Sequence, residues 1–164
     1  FIHADLGHLA FNMFSFYMFG DFVEKYFIAL FNEKGKVLYL AMYLTALVVC
    51  LIPTYMMQRN NKQYRSLGAS GAVSAVVFAG VFLEPTIKIG LFIIPPIIPG
   101  FIFGPLYLLM TIYMSKRGGD NINHSAHFWG SVWGIGFLII ACKLFSGFDP
   151  IQNFISQVSA YLHL

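Results

Sequence analysis

The sequence predicts an all-α protein: a polytopic bundle of transmembrane helices followed by a C-terminal amphipathic helix. Three observations lead there. Hydrophobic residues make up 58% of the 164 positions and charged residues 10%, against roughly 25% charged in a soluble domain. The mean hydropathy is +0.71. The apolar residues also gather into long runs, separated by short polar or proline-rich breaks. The formal net charge of +3 is scattered and forms no basic stripe, so no nucleic-acid partner is expected. The medium this composition requires is a lipid bilayer.

Each run is judged against the roughly 20 residues that a helix needs to cross a bilayer. The first extends from Leu6 to Val23 and is expected to fray at Asp21, Glu24 and Lys25. The second, Val37 to Met57, is the cleanest and ends in the polar loop Gln58 to Gln63. The third, Leu67 to Leu83, is rich in Gly, Ala and Ser and stops at Glu84-Pro85, where proline cannot continue a helix. Ile93 to Pro99, with Pro95, Pro96 and Pro99, reads as an ordered lead-in to a short fourth run, Gly100 to Tyr113. Lys116 to Asn121 reads as a turn, and the fifth run occupies His124 to Phe145.

Asp149-Pro150 has the form of an N-cap followed by proline at the first helical position. Beyond it Ile151, Phe154, Ile155, Val158, Tyr161 and Leu162 recur at helical spacing, with Gln152, Asn153, Gln157 and Ser159 elsewhere. That pattern suits a helix lying on a membrane surface. The chain thus divides into a transmembrane core, 1–146, and a surface tail, 147–164. Cys50 and Cys142 fall within or at the end of apolar runs and imply neither a disulfide framework nor a metal site.

Parity brings the odd polar residues together. Successive spans alternate direction, so the first, third and fifth begin on one face, and near those beginnings lie His8 with Asn12, then Ser70, then His127. At about 1.5 Å of rise per residue each sits one or two turns below that surface. Gly68, Gly71 and Ala75 on the third run, and Gly130 and Gly134 on the fifth, are small enough to let those two helices approach closely. A short hydroxyl needs such an approach to reach an imidazole. Ser70 is a weak nucleophile alone and His127 is placed as its base. Asp21, Glu84 and Asp120 fall in loops or at the opposite face, so the pair reads as a dyad without an acid. Asn12 and His8, one turn apart on one helix face, together with the Ser70 N–H, are positioned as oxyanion donors.

These residues resemble the rhomboid family of intramembrane serine proteases. Gly68-Ala69-Ser70-Gly71 matches its Gly-x-Ser-Gly motif, Ala126-His127-Phe128-Trp129-Gly130 its Ala-His-x-x-Gly motif, and His8-Leu9-Ala10-Phe11-Asn12 its His-x-x-x-Asn motif. The resemblance covers about Phe1 to Phe145. It implies a serine endopeptidase that cleaves transmembrane protein substrates, with no metal or cofactor. It also implies a site toward the extracytoplasmic face, expected here of a bacterial inner membrane, and a six-helix core whose first helix lies upstream of Phe1. Substrate access in the family involves the helix matching the fourth run and a cap matching Tyr113 to Asn123, where Gly118-Gly119 would permit movement. One departure concerns orientation of the base. Some rhomboids carry an aromatic residue one turn after the nucleophile, and this chain has Ser74 there.

Plainer readings stand beside these. Gly-x-Ser-Gly and Asn12 are ordinary helix-packing features, and His8 is equally suited to bonding a neighbouring helix. A rhomboid-like pseudoprotease that binds membrane clients without cutting is the alternative function, and a haem or metal protein using His8, His124 and His127 is a further one.

Overall fold

The computed structural model describes residues 6–62, 69–91, 94–117 and 122–164. Seven α-helices run in order among them: α1 (Leu6–Phe31), α2 (Gly35–Val49), α3 (Ile52–Gln58), α4 (Ser70–Leu83), α5 (Gly100–Arg117), α6 (His124–Phe145) and α7 (Pro150–Leu162). Two short strands, β1 (Lys88–Leu91) and β2 (Ile94–Pro99), stand between α4 and α5. The all-α class holds. The run Leu6–Gln58 and helix α6 are long and apolar enough to cross a membrane, while α4 is shorter.

Helix α4 is the centre of the bundle. Twelve of its 14 residues are buried, so it is apolar all round, as a helix with neighbours on every side must be. The large residues Val23, Phe27, Met42, Val76, Leu83 and Leu138 form the main core where α1, α2, α4 and α6 meet. On α1 the buried positions Asn12, Gly20, Val23, Phe27 and Phe31 keep helical spacing beyond the expected end at Val23. The helix runs on past Asp21 because its buried face continues through Val23, Phe27 and Phe31, while the Asp21 carboxylate pairs with Lys25 one turn on, at 2.6 Å, on the exposed side. It ends in a single 3-10 turn with Asn32 at φ 53°, a left-handed conformation that Asn tolerates better than most residues. The return into α2 is tight: a Cβ on Gly35 would lie 2.5 Å from the Ile28 Cα.

The second run is interrupted, contrary to its even hydropathy. α2 stops at Val49, and α3 restarts at Ile52 with Pro53 in its first turn. Proline has no N–H to donate and crowds the carbonyl four residues back. The fourth run is longer than expected, reaching Arg117, so Lys116 and Arg117 are helical. Residues 118–121 and 63–68 lie outside the described residues, and with them the Gly118-Gly119 cap, Asp120 and Gly68. The lead-in to α5 is a hairpin: β1 pairs antiparallel with β2, Lys88 opposite Pro99 and Ile89 opposite Ile98. A two-stranded sheet has two free edges, which is where proline is tolerated.

Helix α7 begins at the expected cap, Asp149 Oδ1 accepting from the N–H groups of Ile151 and Gln152. Its polar side chains are not all turned to water. Asn153 Nδ2 and Gln157 Nε2 both donate to the Leu83 carbonyl, at 2.9 and 3.0 Å, while Phe154 stacks on Phe82.

Candidate active site

Ser70 opens α4, and its side chain is buried at 5% exposure. The first main-chain bond of the helix runs from Val73 N–H to the Ala69 carbonyl, so the N–H groups of Ser70, Gly71 and Ala72 have no intrahelical acceptor. They give the end of α4 a partial positive charge beside the hydroxyl. Fourteen residues at about 1.5 Å each make α4 roughly 21 Å long, less than the ~30 Å of bilayer hydrocarbon. The helix is thus too short to span that layer by itself.

His127 stands in the first turn of α6. That turn is fixed by Asn123, whose Oδ1 accepts from the Ala126 N–H at 3.0 Å and from the Thr54 hydroxyl of α3 at 3.1 Å. An N-cap before an apolar run is a recognisable signal, yet sequence reading did not single out Asn123. The helices cross at their small residues. A Cβ on Gly130 would overlap the Gly71 carbonyl, and one on Gly134 would overlap the Ala75 carbonyl. With the backbones in contact, His127 Nε2 and Ser70 Oγ are 2.6 Å apart.

On the other side of the imidazole, the Tyr107 hydroxyl of α5 lies 3.2 Å from His127 Nδ1 and 3.4 Å from Ser74 Oγ. The tyrosine and histidine rings are nearly parallel, at 14° with centroids 6.5 Å apart. Sequence reading missed Tyr107 altogether. The carboxylates Asp21 and Glu84 are engaged elsewhere, with Lys25 and with the Tyr26 hydroxyl at 2.6 Å. His124, one of the histidines of the haem or metal alternative, is buried in the first turn of α6 with its ring edge-on to His127. Among the described residues no group of three or more His, Cys, Asp or Glu side chains could hold a metal ion.

Asn12 and His8 occupy the first turns of α1. Asn12 is buried at 7% exposure, and its Nδ2 has no hydrogen-bond partner among the described residues. His8, one turn earlier, is half-buried.

The Rhomboid domain family matches residues 1–144. The chain belongs to the rhomboid family. It is 34% identical over 143 residues to the RHOMBOID-like protein 12, mitochondrial, of Arabidopsis thaliana, covering 80% of this chain and 41% of that protein. It is 27% identical over 150 residues to the Presenilin-associated rhomboid-like protein, mitochondrial, of Bos taurus, covering 88% of this chain and 37% of that one. The rhomboid chain thus spans about two-fifths of the length of these relatives. No solved structure matches it. Helix α7 lies beyond the residues that the Rhomboid domain family matches.

Proposed function

We propose that this rhomboid chain is a serine endopeptidase that cuts other membrane proteins in or near their transmembrane segments. The observation that carries the reading is the 2.6 Å contact between Ser70 Oγ and His127 Nε2 at the N-terminal end of α4. Ser70 Oγ attacks the scissile carbonyl carbon as its proton passes to Nε2. The resulting oxyanion is met by the Ser70 N–H at the start of α4 and by Asn12 Nδ2, with His8 as a further donor. When the tetrahedral species collapses, the C–N bond breaks and Nε2 returns the proton to the departing amine. Water then repeats the sequence on the acyl-enzyme and frees Ser70.

Substrates of this kind must enter from the bilayer, and a segment with weak helical structure fits best because an intact helix ties up its carbonyls. Residues 147–164 are proposed to rest at the membrane surface. For the membrane itself, the bacterial inner membrane is the reading from sequence. A mitochondrial membrane is the second, favoured by the names of both relatives.

Labelling with a fluorophosphonate probe is the test. The wild-type chain is expected to label and Ser70→Ala to stay unlabelled. A folded wild-type chain that neither labels nor cleaves a transmembrane substrate would leave the pseudoprotease reading in its place.

A further inference from the structure

Tyr107 reaches the site from a helix that carries neither Ser70 nor His127. Its ring is itself held, tilted against Phe78 of α4 at 5.4 Å and against Phe103 of α5 at 5.6 Å. What it does follows from proton bookkeeping on the imidazole. A neutral histidine carries one ring N–H. If Nε2 is to take the proton of Ser70, that N–H must be on Nδ1, and an acceptor must lie where Nδ1–H points.

The Tyr107 oxygen is at that place, 3.2 Å away. A phenol hydroxyl accepts and donates at once, so its own proton is free for Ser74 Oγ at 3.4 Å. With the proton on Nδ1, the three contacts can run in one direction: Ser70 donating to His127, His127 to Tyr107 and Tyr107 to Ser74. With the opposite tautomer, Nε2 would point a hydrogen at Ser70 Oγ and could not accept.

We propose that Tyr107 is the positioning residue for His127, fixing its Nδ1–H tautomer and ring plane, with Ser74 anchoring the phenol. This rests on the reading of Ser70 and His127 as the reacting pair. It also gives Ser74 a physical role. The residue is buried, and an aromatic ring at that position would run into the place of the Tyr107 hydroxyl. A serine both leaves room for the tyrosine of α5 and bonds to it. A neutral phenol brings no charge to the imidazolium, so its contribution is orientation. Its loss is expected to remove only part of the hundredfold or greater effect of a general base.

The experiment compares the full chain with Tyr107→Phe and Tyr107→Leu. Probe-labelling rate, kcat and KM on a transmembrane substrate, and thermal stability are read together with the 15N shifts of the histidines, His127 being assigned by difference from His127→Ala. Tyr107→Phe keeps the ring and loses the acceptor. Its kcat and labelling rate are expected to fall about ten- to a hundredfold with KM within about twofold, with thermal stability lowered less than in Tyr107→Leu and a His127 population moved from Nδ1–H toward Nε2–H. Tyr107→Leu is expected to fall further, the phenylalanine variant being its partial rescue. Wild-type labelling in Tyr107→Phe would overturn the proposal. So would a slower rate with an unchanged tautomer, which would reassign Tyr107 to packing. If the wild-type chain itself fails to label, the protease reading fails, and the 15N comparison still decides whether Tyr107 sets the tautomer.

Discussion

Asn12 presents the most economical test at the scale of single residues. A buried amide with nothing to donate to costs about 1–3 kcal/mol, so the Asn12 Nδ2, without a hydrogen-bond partner among the described residues, calls for a reason. An oxyanion donor has one: its acceptor forms only in the transition state. Asn12→Ala is therefore expected to lower kcat by about a hundred- to a thousandfold while thermal stability holds or rises. If Asn12 were instead glue between helices, stability would drop and kcat would not. The proposed pair of Ser70 and His127 makes a different demand. Ser70→Ala and His127→Ala should each abolish cleavage, and the double variant should be no slower than either, since each removes half of one unit. A double variant far slower than both singles would refute the dyad. The meeting of Ser70 and His127 was legible because each stands in a short motif whose spacing places it near a helix start. Tyr107 was not. It is one tyrosine among nine, and only the rotation of α5 against α4 and α6 gives it a partner.

At the scale of the element, the crossing of α4 and α6 sets the distance between Ser70 and His127. The glycines expected to pack there do so against backbone: any side chain on Gly130 or Gly134 meets a main-chain carbonyl of α4, which cannot swing aside as a side-chain tip would. Gly134→Ala is expected to cost about 1–3 kcal/mol or more by forcing the helices apart, and to cut activity with it. Gly136 lies on the same helix, and a Cβ there would have nothing within 4 Å, so Gly136→Ala should be neutral or gain up to about 1 kcal/mol of helix propensity. Equal melting temperatures for the two alanine variants would refute the close crossing. Small residues announce such a contact in sequence because their only gain is proximity. Helix ends announce themselves less well. Hydropathy stayed high across Pro53, where α2 gives way to α3, and it dropped at Asp21, where α1 runs on. The hairpin of β1 and β2 was hidden because Pro95, Pro96 and Pro99 blur the alternation that marks a strand.

For the whole molecule, the bundle is organised around one short helix held at both ends. At the near end α4 carries Ser70 beside α6; at the far end Glu84 receives the Tyr26 hydroxyl of α1, and α7 closes the last turn. The tail was legible as an amphipathic surface helix with an Asp149 cap, but nothing in its pattern tied its polar face to α4. The structure instead turns Asn153 and Gln157 onto the Leu83 carbonyl, because a helix C-terminus in an apolar bundle leaves carbonyls that need donors. Ile151, Ile155 and Leu162 remain exposed, as a helix resting against lipid would have them. Two charge-free amide bonds of this kind contribute about 0.5–1.5 kcal/mol each, and a carbonyl left bare costs more. The double variant Asn153→Ala, Gln157→Ala is therefore expected to lower stability by about 1–3 kcal/mol, read as a fall in melting temperature in a single detergent. Its labelling rate well below the melt should stay within about twofold of wild type, because Ser70 lies a full helix length away and its distance to His127 is set by Gly71 and Gly130. An unchanged melting temperature would show that α7 contributes nothing to α4. A labelling rate that fell with it would show that the far end of α4 governs the near one.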